Sequence, residues 1–145
     1  MPHDFNRFPE LTNSQMDFYY FASPHKQITE DFTGTVVKVT DGDTIRVKWR
    51  ERDFDFPVRF FDNAAPELDE LGGRESQSWL EKKILGEEVD IIINPDLRVE
   101  KWGRLLGRVI FKGIDIGEES IMFGKSVSWE DRDDGKIPEV ESATI

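Results

Sequence analysis

Residues 33–49 read TGTVVKVTDGDTIRVKW. Thr33 to Thr40 is β-branched and alternating, and Thr44 to Trp49 alternates apolar Ile45, Val47 and Trp49 with Arg46 and Lys48. A period of two puts successive side chains on opposite faces of a strand. Asp41-Gly42 between the two halves is a strong hairpin signal. The stretch predicts two antiparallel strands joined by a tight turn.

Outward from this hairpin, Phe56 to Asp62 (FPVRFFD) reads as a third strand. Arg74 to Leu85 (RESQSWLEKKIL) has helical spacing, with Trp79, Leu80, Ile84 and Leu85 on one side and Gly86 as its stop. Val89 to Ile93 is a short apolar strand ended by Asn94-Pro95, and Leu105 to Phe111 (LLGRVIF) is another, followed by a turn at Gly113. A short helix over Glu118 to Phe123 closes at Gly124. Three meandering strands, a helix and two more strands predict a mainly β (α+β) fold, a five-stranded barrel of the OB type with one interposed helix. This barrel spans 33–129.

Two flanks surround it. Residues 1–32 form an N-terminal extension in which Thr12 or Ser14 caps a short helix that Pro24 ends. Aromatic residues at 18, 19, 20 and 21 cannot all share one helical face. The extension is expected either to pack on the barrel or to dock a protein partner. Residues 130–145 read as a solvated acidic tail.

Composition narrows the function. The 145 residues carry 19 Lys+Arg against 30 Asp+Glu, a net charge of −11, and no cysteine. Disulfides, thiolate metal sites and a cysteine nucleophile are therefore excluded. His3 and His25 lie far from any other ligand cluster, which disfavours zinc chemistry or a histidine-based triad. No apolar run approaches the ~20 residues of a membrane helix. The start, MPHDFNRFPE, lacks the basic and apolar regions of an export signal, so a cytoplasmic, intracellular protein is expected. Acidity argues against a simple electrostatic nucleic-acid binder. Yet residues 33–129 hold 19 acids and 15 bases, against 5 and 2 in residues 1–32 and 6 and 2 in 130–145. The excess sits disproportionately in the flanks, which leaves room for a basic pocket in the middle.

Three segments carry candidate chemistry. In Asp41-Gly42-Asp43-Thr44, Asp43 stands where a strand begins; read alone this is a hairpin turn, or a ligand for a hard cation. In Val58-Arg59-Phe60-Phe61-Asp62-Asn63-Ala64-Ala65-Pro66-Glu67, Arg59 points opposite to its apolar neighbours, to solvent or to a cleft. In Lys101-Trp102-Gly103-Arg104, Arg104 enters the last barrel strand, and Gly103 serves the turn or a close ligand approach.

Together, in order and spacing, these segments resemble the staphylococcal nuclease family across roughly residues 33–129. The resemblance implies a calcium-dependent phosphodiesterase that hydrolyses DNA and RNA on an OB barrel. Arg59 and Arg104 then hold the scissile phosphate, Glu67 activates the attacking water, and Asp43 and the backbone of Ala65 serve the metal. Two guanidiniums suit phosphoryl transfer, because each can contact two phosphate oxygens. Lys101, Trp102 and Trp129 are candidate contacts to single-stranded or frayed nucleic acid, the tryptophans either stacking bases or packing at the barrel edge. One departure matters. The family's second metal aspartate is replaced by Ala64, so a weakened Ca²⁺ site, or one for another divalent cation, is expected, with Asp62, Asn63 or Asp41 as the substitute ligand. The long C-terminal helix of the family and the basic charge of its secreted members are also missing. The rival expectation is a degenerate member that keeps the barrel as a binding or assembly module.

Overall fold

In the computed structural model, which describes residues 3–133, five strands close into a barrel. They are β1 (Phe32–Asp41), β2 (Thr44–Lys48), β3 (Phe56–Phe60), β4 (Glu88–Ile92) and β5 (Leu105–Phe111); a two-residue β6 (Ile114–Asp115) extends one side. The sheet order is β3-β2-β1-β4-β5-β6, and a further pairing of β3 with β5 joins the ends. That pairing is parallel, Val58 opposite Leu105 and Arg59 opposite Leu106, while the others are antiparallel. β1 has register shifts against β2 between Val36 and Lys38 and between Val39 and Asp41, and its first half also pairs with β4. Such irregularities bend and twist a strand, as closing a small barrel requires.

Alternation in β2 and β3, and in β1 the register shift after Val36 that brings Val39 back to the inner face, fill this barrel. Val36, Val39, Ile45, Val47, Phe56, Val58 and Phe60 all point inward, with Val89, Ile91, Leu105 and Val109 opposite. Burying such side chains contributes about 1.5–3 kcal/mol each. Helix α2 (Gly73–Ile84) lays Leu80 and Ile84 onto the same core and ends where Gly86 takes a φ of 81°. Leu85, expected on its buried side, is 45% exposed because the helix has already ended. A third helix, Ile116–Met122, starts two residues earlier than the sequence suggests, where Asp115 caps Glu118 N–H.

The extension belongs to the fold. Thr12 caps a first helix (Asn13–Tyr19) through a capping box with Gln15, and a single 3-10 turn (Tyr20–Ala22) follows. The helix thus stops before Pro24. Leu11 and Ile28 are buried, and between them Glu10 is sealed against Arg52 and Arg98. Phe18, Tyr20 and Phe21 stay exposed. Thus the backbone packs on the barrel while part of the aromatic cluster faces outward.

The far end also differs from expectation. Trp129–Asp133 forms a helix, and its Arg132 pairs with Glu70 at 2.6 Å, so the barrel-associated chain runs past 129. The rest of the expected acidic tail, 134–145, lies outside the described residues. Among the described residues no helix is long and apolar enough to cross a membrane.

Candidate active site

The turn between β1 and β2 is set by contact. Gly42 does not take a positive φ, contrary to the usual reason for glycine in a hairpin. A Cβ at this position would lie 2.0 Å from Ser76 Oγ on α2 and 2.6 Å from the Ala65 Cβ. Only glycine fits between the helix and the 61–67 loop, and this wedge fixes Asp41 and Asp43 on either side.

Arg59 comes from β3, in register with Thr44 on β2 and Leu106 on β5. Its neighbours Val58 and Phe60 fill the core, so strand alternation turns the guanidinium to the other face. The loop after β3 is stitched down: Ala64 exchanges both backbone hydrogen bonds with Val127, and Asn63 Nδ2 donates to Gly117 O and Ser126 Oγ. At its end, Glu70 Oε1 accepts from the Glu67 N–H at 2.8 Å and from Arg132. Arg104 follows a turn at Gly103, whose φ is 87°, and Glu100 closes that turn by accepting from the Arg104 N–H.

These elements meet around one cleft of about 380 Å³, lined by Asp41, Asp43, Arg59, Glu67, Glu100, Lys101, Trp102, Arg104, Leu106 and Trp129. Seven of the sequence-derived site residues are therefore neighbours in space. Arg59 Nη1 lies 3.1 Å from Asp43 Oδ2 and donates to Asn63 O at 2.5 Å. Its Nε and Nη2 make no hydrogen bond among the described residues, which leaves a two-donor edge for an anion. Arg104 is held differently: Nε and Nη2 both reach the Glu100 carboxylate, at 3.2 and 3.4 Å, and Nη1 reaches Thr44 Oγ1. The exposed Glu67 carboxylate has no partner among the described residues.

Asp43 is the perturbed group. Burial pushes its carboxyl up to about 7, helped by the hydrogen bond and charge of Asp41, against the pull of Arg59 and the Ala65 N–H. Its Oδ1 accepts from Thr44 Oγ1 and its Oδ2 from the Ala65 N–H, each at 2.9 Å.

No protein-family model matches the chain, and no curated protein does. What the cleft can do follows from its own groups.

The calcium expectation is tested by the donor set. Calcium takes about six to eight oxygens, several from carboxylates. Among the described residues no three Asp, Glu, His or Cys side chains group closely enough to hold an ion. Both Asp43 oxygens already accept from protein donors. Ala65 donates its N–H to Asp43 Oδ2. Asp62, expected on the face of a continuing strand, lies beyond it: β3 ends at Phe60, and Asp62 takes a φ of 51°. Its carboxylate accepts from the Trp129 N–H and does not line the cleft. These residues do not fit a calcium cage.

The tryptophans divide. Trp102 is 66% exposed beside Lys101, free to stack. Trp129 packs on Phe61, ring centroids 5.1 Å apart, and its indole N–H donates to Asn63 O. Glu100, the partner of Arg104, is a site residue that the motifs do not mark; its i,i+4 spacing from Arg104 is the one signal in the sequence that points to it.

Proposed function

We propose that this chain is a staphylococcal-nuclease-like phosphodiesterase acting on single-stranded or frayed nucleic acid. The observation that carries the reading is that Arg59, Glu67 and Arg104, from a strand, a loop and a turn, line one cleft. The free edge of Arg59 takes two non-bridging oxygens of the phosphate. Arg104 takes the developing charge after exchanging the Glu100 carboxylate for the substrate. Glu67 removes a proton from water as its oxygen bonds to phosphorus; the bond to one ester oxygen breaks, and that oxygen gains a proton from solvent. In-line positioning and charge stabilisation on the equatorial oxygens are what phosphoryl transfer needs.

A gel assay on labelled single-stranded DNA tests this with Arg59→Lys, which keeps the charge and loses the two-donor edge. Cleavage by the parent and a loss of about 10²–10³ in the variant is expected. Equal rates in both would remove Arg59 from the reaction.

A second reading is a binding or assembly module on the same barrel. It is favoured by Glu100, whose carboxylate occupies the side of Arg104 that a phosphate would use. This reading predicts retention of single-stranded DNA without cleavage.

A further inference from the structure

We infer that the N-terminal extension builds a second nucleotide subsite, which continues the cleft along a single strand. The inference rests on the nucleic-acid reading above. A second cavity, about 710 Å³, is walled on one side by the extension, with Arg7, Phe8, Gln15 and Tyr19, and on the other by Lys101, Trp102 and Gly103. Lys101 and Trp102 line both cavities, so the two adjoin along that turn. The volume lies in the range of sites that hold small organic ligands.

The wall is built into the fold. A Cβ on Gly103 would lie 2.5 Å from Phe8 Cδ1, so the extension and the turn touch directly. Thr12 and Gln15 cap each other's backbone, Asn13 Nδ2 donates to Pro95 O, and Leu11 is buried. A strand leaving the cleft past Trp102 therefore meets an ordered surface.

Its chemistry selects a flat aromatic group joined to an anion. Trp102 offers an exposed face, with Lys101 Nζ 5.2 Å from its centroid, and Arg7 Cζ lies 5.2 Å from the Phe8 centroid. Neither Arg7 nor Lys101 has a carboxylate partner among the described residues. The acids of the same wall are engaged: Asp4 accepts from the Asn6 and Arg7 N–H groups, and Glu10 binds Arg52 and Arg98. Asp4 keeps its charge, but Glu10 is outnumbered by the two arginines it binds, so Arg7 and Lys101 leave this wall net positive, a local exception in a chain of net charge −11. Bases stack on aromatic side chains without regard to sequence, while cations follow the backbone.

The test is fluorescence anisotropy with a labelled thymidine dinucleotide and hexanucleotide, in a Glu67→Gln background that prevents cleavage. The hexanucleotide should bind at least about tenfold more tightly, as one added stacked base supplies. Arg7→Gln with Tyr19→Ala should erase most of that advantage and leave dinucleotide affinity unchanged. Arg7→Gln alone, at an exposed side chain, keeps the test readable should Tyr19→Ala disturb packing, and should reduce the advantage and its salt dependence. An unaltered length advantage in these variants would overturn the subsite and leave the cleft reading standing. Failure of the parent to bind either oligonucleotide would overturn the cleft reading, and the subsite with it.

Discussion

The Asp43 carboxylate, in the turn that leads into β2, and the Arg59 guanidinium of β3 face each other 3.1 Å apart in the cleft. The pair joins the one strongly perturbed carboxyl of the site to the arginine whose Nε and Nη2 edge stays open. It uses only Nη1 of Arg59, so the arginine is oriented by its partner without being used up.

Asp43 makes stability depend on pH. Its carboxyl rises from the ordinary 3.8 to about 7 in the folded chain. Between these values the folded state holds a proton that the unfolded chain has released, so stability falls as pH rises through this window. Asp43→Asn removes the titration. In urea denaturation with chelator present, the variant should gain stability relative to the parent at pH 8 and lose that gain near pH 4. A difference independent of pH would contradict the assignment.

Gly42→Ala tests the wedge. The added methyl would collide with Ser76 Oγ and the Ala65 Cβ. Relieving the clash should cost about 1–3 kcal/mol, read as a lower urea midpoint. Because the turn carries Asp43, cleavage should fall in the same variant. Parent-like stability and activity would show that the turn can shift freely.

Glu100→Gln separates the charge of Glu100 from its structural role. The amide oxygen still accepts from the Arg104 N–H, keeping the turn, while the competing carboxylate is gone. Affinity for single-stranded DNA should rise severalfold, by the roughly 1 kcal/mol expected of a part-exposed ion pair. A weaker complex would mean that Glu100 positions Arg104 for substrate and does not compete with it.

Glu10→Gln should be the most damaging of these changes. Among the described residues Glu10 is the one carboxylate paired with both Arg52 and Arg98 in the interior, where burial holds both guanidiniums below their ordinary range despite its pull. Arg52 Nε and Nη1 already lack hydrogen-bond partners and rest against Phe56. Removing the counter-charge should cost about 3–5 kcal/mol, measured as loss of thermal or urea stability. A near-neutral result would mean that the extension is dispensable to the barrel.

The barrel was legible because its signals are local. Thr44–Trp49 alternates with period two, and the run Leu105–Phe111 is a strand with the bounds expected. Arg59 could be aimed from its apolar neighbours, and Arg59, Glu67 and Arg104 line one cleft, a grouping that only the family resemblance implied. The Glu10–Arg52–Arg98 cluster could not be read. Its members lie far apart in the chain, and each alone resembles a solvated charge. Asp62 was misplaced because one residue with positive φ ends the strand's alternation, and an aspartate gives no sign of that. Gly42 was placed correctly for the wrong reason: close packing against α2, and not a left-handed turn, requires it.

Arg59, Glu67 and Arg104 are proposed to act together on a phosphodiester. The most direct test is cleavage of labelled single-stranded DNA at low salt, with excess Ca²⁺ or with chelator, beside Glu67→Gln. The nuclease reading predicts cleavage by the parent and its loss in Glu67→Gln, with the two metal arms showing whether a divalent cation is required. Intact DNA after incubation with folded parent protein, in both arms, would contradict it and leave the barrel as a binding module.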